Sequence, residues 1–169
     1  MPSKKKLTAY NITCVAMMVA TMVAGKWVLN SLPNIEVVSL FTVLYTTFFG
    51  WYTIFAVIVF IIIEGIVYGL GWWFYGYVLA WPVLFGVTFL FRKSPSNIKM
   101  ALISGIFGLS FGALCEIPYS FMFGAKAGFA WWVAGIPYDV VHGVGNFLIC
   151  LLLFNPLLRA LRATSHLKP

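Results

Sequence analysis

The residues able to do chemistry in this chain are few, and they fall together. Its four acids are Glu36, Glu64, Glu116 and Asp139. An ionisable group at membrane depth costs about 2.5 kcal/mol or more and usually faces a bundle interior or a cavity. Asp139, His142 and Asn146 recur at spacings of three and four, so they share one helical face. Gly105, Gly108, Gly112 and Glu116 form a second such face, where small residues admit a close neighbour or a ligand. Aromatic residues crowd the same stretches: Tyr68, Trp72, Trp73, Tyr75 and Tyr77 in one, Trp131, Trp132 and Tyr138 in the other. Tryptophan and tyrosine belts are general in membrane proteins. Beside carboxylates they also suit a flat heterocyclic ligand, held by stacking or cation–π contact.

Each residue has a plainer reading. Asp139 fits an acid in the first turn of a helix, stabilised by the helix dipole. Glu64 or Glu116 fits a partner for Lys26, and His142 fits a satisfied core histidine. Their coincidence at one end is what marks a site. Catalytic patterns are absent from the sequence: there is no G-x-x-x-x-G-K-[ST] phosphate loop, no H-E-x-x-H and no G-x-S-x-G. The reading is therefore of a binding protein, not an enzyme, that hydrolyses no ATP. Cys14, Cys115 and Cys150 lie inside apolar runs without metal-ligand spacing, so they read as small core residues, and no metal or cofactor is expected.

The elements that must position these residues are membrane helices. Of 169 residues, 62% are apolar and 9% charged, with a mean hydropathy of +0.97. A soluble domain carries charge on about a quarter of its residues. With about 20 residues per crossing, the length allows about five to seven helices and no separate soluble domain. The net charge of +7 sits in short clusters between apolar runs, a pattern that points to a lipid bilayer and not to nucleic acid. Lys4, Lys5 and Lys6 before the first apolar run imitate a signal peptide, but no cleavage site followed by a soluble stretch appears, so this run reads as a retained helix.

The stretch 37–70 would be roughly 50 Å long as one helix, too long for a hydrocarbon core of about 30 Å. Gly50-Trp51 offers a turn within it. Basic residues mark cytoplasmic loops, and three clusters stand out: Lys4 to Lys6; Arg92, Lys93 and Lys99; Arg159, Arg162 and Lys168. If all three face the cytoplasm, an even number of helices separates each pair. The expectation is an all-α integral membrane protein, a six-transmembrane-helix bundle with both termini cytoplasmic. It forms one domain over 1–169, with helices at about 8–29, 36–49, 51–70, 74–91, 99–117 and 137–160. All four acids then lie towards the outer face, where Lys26 and Lys126 are the only basic residues. Pro33 ends helix 1, Pro82 kinks helix 4, Pro118 ends or kinks helix 5, and Pro137 starts helix 6. The segment 119–136 is either re-entrant or an extension of its flanking helices.

Ala16, Ala20 and Ala24 make a strict i+4 ridge on helix 1, suited to close helix packing. This ridge, "LPNIEVVSL" (Leu32–Leu40), and "WWVAGIPYDVVHGVGNFLICLLLFNPL" (Trp131–Leu157) together resemble the substrate-binding S component of energy-coupling factor (ECF) transporters. The resemblance covers nearly the whole chain. It implies a vitamin-uptake subunit in a bacterial-type plasma membrane, with an outward-facing site. It also implies docking through Ala16, Ala20 and Ala24 onto a membrane coupling subunit with two ATPase subunits beneath. Loop 1 and the outer ends of the later helices shape the pocket in that family. This maps Asn34, Glu36, Glu64, Glu116, Asp139, His142 and Asn146 onto it, and Tyr68, Trp131 and Trp132 join them as aromatic neighbours. The excess of acids over Lys26 favours a ligand with a cationic or donor-rich ring. Thiamine-like, pyridoxine-like, queuosine-precursor and benzimidazole or cobalamin-related compounds all stay open. An ion-coupled secondary carrier, with Glu64, Glu116, Asp139 and His142 as a proton relay, is the alternative, although no repeated half is seen. A membrane scaffold without a ligand is a third.

Overall fold

The computed structural model describes residues 8–164; Lys4, Lys5, Lys6 and Lys168 of the terminal basic clusters lie outside the described residues. Within that range the regular structure is helical: α1 (Ala9–Val28), α2 (Val38–Phe49), α3 (Thr53–Tyr68), α4 (Trp72–Phe91), α5 (Asn97–Phe123) and α6 (Ala125–Thr164). Thr8 caps α1 by accepting the Asn11 N–H at 3.3 Å, and Ser96 caps α5 by accepting the Lys99 N–H at 3.3 Å. Five stretches are long and apolar enough to cross a membrane: Ala9–Val28, Val38–Tyr68, Trp72–Phe91, Asn97–Phe123 and Ala125–Ala163. Large apolar side chains such as Ile66, Leu90, Ile106 and Leu152 point outward, as in a membrane-embedded bundle.

The stretch Val38–Tyr68 is broken in its middle. Gly50 has φ 62, a conformation that would strain a residue with a side chain, and a 3-10 turn over Gly50–Tyr52 follows it. Tyr52 receives a hydrogen bond from Asn11 Nδ2 at 3.2 Å, and Trp51 packs edge-on against Phe85 and Phe89 near the end of α4. The other end of the stretch lies far from these partners. Glu36 meets His142, and Glu64 meets Lys26 at the end of α1. So α2 and α3 form a hairpin. With 12 residues, α2 is about 18 Å long, short of a bilayer core of about 30 Å. Length and composition therefore mark this stretch as one candidate span where two were expected, and give five candidate spans among the described residues where six were expected.

Most of α2 is buried, and it packs against all five other helices. The core around it contains Met18, Met22, Val43, Phe60, Trp81 and Phe154. The most extensive contact joins α5 to α6. There the glycine face of α5 lets two backbones touch: a Cβ on Gly108 would fall 2.8 Å from the Gly143 Cα.

Two boundaries differ from expectation. Pro118 lies inside α5 and does not end it, since the helix continues to Phe123. Pro137 does not start α6, which begins at Ala125. Membrane helices tolerate proline where neighbours compensate the lost backbone hydrogen bond, and here each helix lies along the other. The break falls instead at Gly124, with φ 92 and its N–H bonded to Ser120 O at 2.8 Å. The segment 119–136 is thus the tip of a helical hairpin and not a re-entrant loop. Pro82 lies within α4, as expected.

Candidate functional site

Three cavities adjoin at the end of the bundle that holds the acids. The largest, about 400 Å³, is an aromatic box walled by Trp72 and Trp73 of α4 and by Trp131, Trp132 and Tyr138 of α6, with Asp139 in its lining. The second, about 280 Å³, is polar and lies under the α1–α2 loop; Lys26, Asn30, Glu36 and His142 line it. The third, about 250 Å³, is lined by Lys26, Asn30, Tyr68, Trp73 and Tyr77. Tyr77 borders all three, and Asn34 and Phe111 separate the first from the second. Asn34 reaches this wall with φ 58, a conformation that asparagine accepts more readily than most residues.

Asp139 is 8% exposed. Its Oδ1 accepts the backbone N–H of Gly112 at 3.0 Å, while Oδ2 is buried without a hydrogen-bond partner. Among the described residues it has no ion pair. One turn further along α6, His142 Nε2 lies 3.3 Å from Glu36 Oε1 and its ring stands edge-on to Phe111 at 5.0 Å; Nδ1 has no partner. Glu36 also accepts the Ser39 N–H at 2.8 Å. Desolvation pushes the Glu36 carboxyl up, but the hydrogen bonds from His142 and Ser39 outweigh it and leave the group below its ordinary value.

The remaining candidates divide. Tyr68, Trp131 and Trp132 line the cavities, and Trp131 is fixed edge-on to Trp72 at 5.0 Å and stacked on Tyr119 at 5.2 Å. Glu64 does not line them: it is fully buried and ion-paired to Lys26. Glu116 is taken by Ser120, one turn along its own helix. Asn146 lies deeper and donates to Ser39 Oγ at 3.0 Å, tying α6 to α2. The acids therefore do not share one cavity. Asp139 stands in the aromatic box, Glu36 in the polar chamber, and Glu64 and Glu116 are engaged elsewhere.

Phe111, and Lys26 as a ligand contact, were not among the expected site residues, and Trp72, Trp73 and Tyr77 stood only in the general crowd of aromatics. The signal for the aromatic ones was present. Trp73, Tyr77 and Trp81 recur at i+4 on α4, as Phe107 and Phe111 do on α5, and each set faces the bundle interior. In the sequence alone Lys26 reads as a counter-ion. Its ammonium also lies 4.9 Å from the Tyr68 ring centroid and 5.1 Å from that of Tyr77.

An acid with a free buried oxygen, set among four indoles, is suited to a planar ring that carries a positive charge or an N–H donor. No group of three or more metal-ligating side chains with the geometry for a metal occurs among the described residues. Comparison of the chain with protein-family models, curated proteins and solved structures finds no match.

Proposed function

We propose that this chain is the substrate-binding S component of an ECF-type importer, which captures a small heteroaromatic vitamin or vitamin precursor from outside the cell. The observation that carries this reading is the unpartnered, buried Oδ2 of Asp139 in the tryptophan-lined cavity. A buried polar atom without a partner is costly in a closed protein, and a ligand donor would satisfy it. In this reading the chain crosses a bacterial-type plasma membrane six times, with both termini in the cytoplasm. The α2–α3 hairpin supports the even count: its turn lies at the end where Arg92 and Lys93 follow α4.

The partners proposed are a membrane coupling subunit and two ATPase subunits. Ala16, Ala20 and Ala24 support this, because all three are exposed along an open apolar groove of about 600 Å³ between α1 and α3, with Val59 and Ile63 on its far wall. An uncovered ridge favours a partner over packing within the chain. A proton relay through the acids is less well supported. Glu64 is closed by Lys26 and Glu116 by Ser120, and no hydrogen bond joins either to Asp139 or His142 among the described residues. Uptake of the captured compound, measured with and without an inactivated ATPase, tests the reading. Import that stops with the ATPase agrees with it, and import that continues does not.

A further inference from the structure

The polar chamber beside the aromatic box is built for a second part of the ligand. This inference rests on reading the box as a ligand site. The two spaces share the walls Tyr77, Phe111 and Asn34, so a compound seated against Asp139 can extend an arm past Tyr77. There it meets Lys26 and His142. The Lys26 ammonium has three donors. One goes to Glu64 and a long one, 3.4 Å, to the Tyr77 hydroxyl, which leaves a donor for the chamber that Lys26 lines. His142 is 5% exposed, lines the same chamber, and has an unpartnered Nδ1.

The charges decide what kind of arm fits. Lys26 is already neutralised by Glu64, and Glu36 adds a further carboxylate to the chamber. A carboxylate or phosphate arm would face two acids against one lysine. A neutral group that accepts from Lys26 avoids this repulsion. Glu36, an acceptor when ionised, accepts a hydrogen bond from His142 Nε2–H, so neutral His142 presents Nδ1 as an acceptor. A hydroxyl accepts from Lys26 and donates to Nδ1 at once, and it would still find a partner if Nδ1 carried a proton. A carbonyl or an alkyl group cannot do both. We propose that the ligand is a planar, cationic or N–H-bearing ring with a short hydroxylated arm, and that Lys26 and His142 select the arm.

The test uses the full chain in detergent, with tryptophan quenching as the readout. The probes are an N-methylpyridinium with a para hydroxyethyl arm and its ethyl and carboxymethyl counterparts. The hydroxyethyl probe should bind about tenfold more tightly than the ethyl one, the worth of one to two net hydrogen bonds, and the carboxymethyl probe should bind most weakly. In His142→Phe, and in Lys26→Met combined with Glu64→Gln so that no charge is stranded, the hydroxyethyl-to-ethyl ratio should fall to about one. Equal binding of all three probes, tightest binding of the carboxymethyl probe, or a ratio that survives both variants overturns the proposal while leaving the ligand site standing. Failure of all three to quench overturns both together.

Discussion

The Asp139 carboxylate on α6 rests directly on the backbone of Gly112 on α5, accepting its N–H at 3.0 Å. The contact requires glycine: a Cβ at Gly112 would lie 2.8 Å from Oδ1 and crowd Oδ2 as well. The helix-packing face of α5 and the candidate ligand site thus meet at one residue. Gly112→Ala should turn the carboxylate away from the cavity. A displaced carboxylate loses its contact with the ligand, so affinity should fall about tenfold or more. Equilibrium binding to the purified variant checks this, and wild-type affinity would show that the position of Asp139 does not matter.

His142 and Glu116 should behave differently, although both are polar residues at the same end. His142 lines the polar chamber and bonds Glu36, so His142→Ala should weaken ligand binding about tenfold or more. Glu116 is occupied by Ser120 and lines neither chamber. Glu116→Gln should leave affinity within about twofold, since it removes no contact with the cavity. Parallel titrations of the two variants decide it. A large loss for Glu116→Gln would place the site nearer the α5–α6 tip.

The pair of Lys26 and Glu64 joins α1 to α3 beneath the chambers. Glu64 is fully buried. Removing one member of such a pair strands a charge, at a cost of about 3–5 kcal/mol. Lys26→Met should therefore unfold at markedly lower temperature than wild type, and adding Glu64→Gln should recover much of the loss. Thermal unfolding in detergent reads both variants. Equal stability of the single and double variants would mean that the pair is solvated in solution.

The helical class was legible because long apolar runs obey a strong rule about length in a bilayer. Gly50 was legible as a turn for the same reason. Helix ends near Pro118 and Pro137 were not, because a proline signal is local, while the packing of α5 on α6 that overrides it depends on a partner helix remote in the sequence. The Asp139–His142 stripe could be read from spacing within one helix. That Glu64 belongs to Lys26, 38 residues away, was only one of two open pairings. The role of Tyr77 as a shared wall required the fold, since three helices must converge before a wall exists.

The hairpin of α2 and α3 predicts sidedness. Trp51 at its turn and Lys126 near the α5–α6 tip are both exposed. In a chain lacking Cys14, Cys115 and Cys150, a single cysteine at position 126 should react with a membrane-impermeant maleimide in intact cells. A cysteine at position 51 should react only after permeabilisation. Labelling of both from outside would contradict the six-crossing arrangement.

The central claim is that Asp139 anchors a small ligand without help from any ATPase. Its most direct test is mass spectrometry of the small molecules that co-purify with the isolated chain, wild type beside Asp139→Asn. Loss of a buried charged partner costs about 2–5 kcal/mol, or roughly 30-fold or more in affinity. Asparagine keeps the shape of the side chain, so the variant should remain folded. The account predicts one heteroaromatic compound, near one per chain, in the wild type and its loss from the folded variant. No compound in the wild type, or the same compound retained at full occupancy by Asp139→Asn, would contradict it.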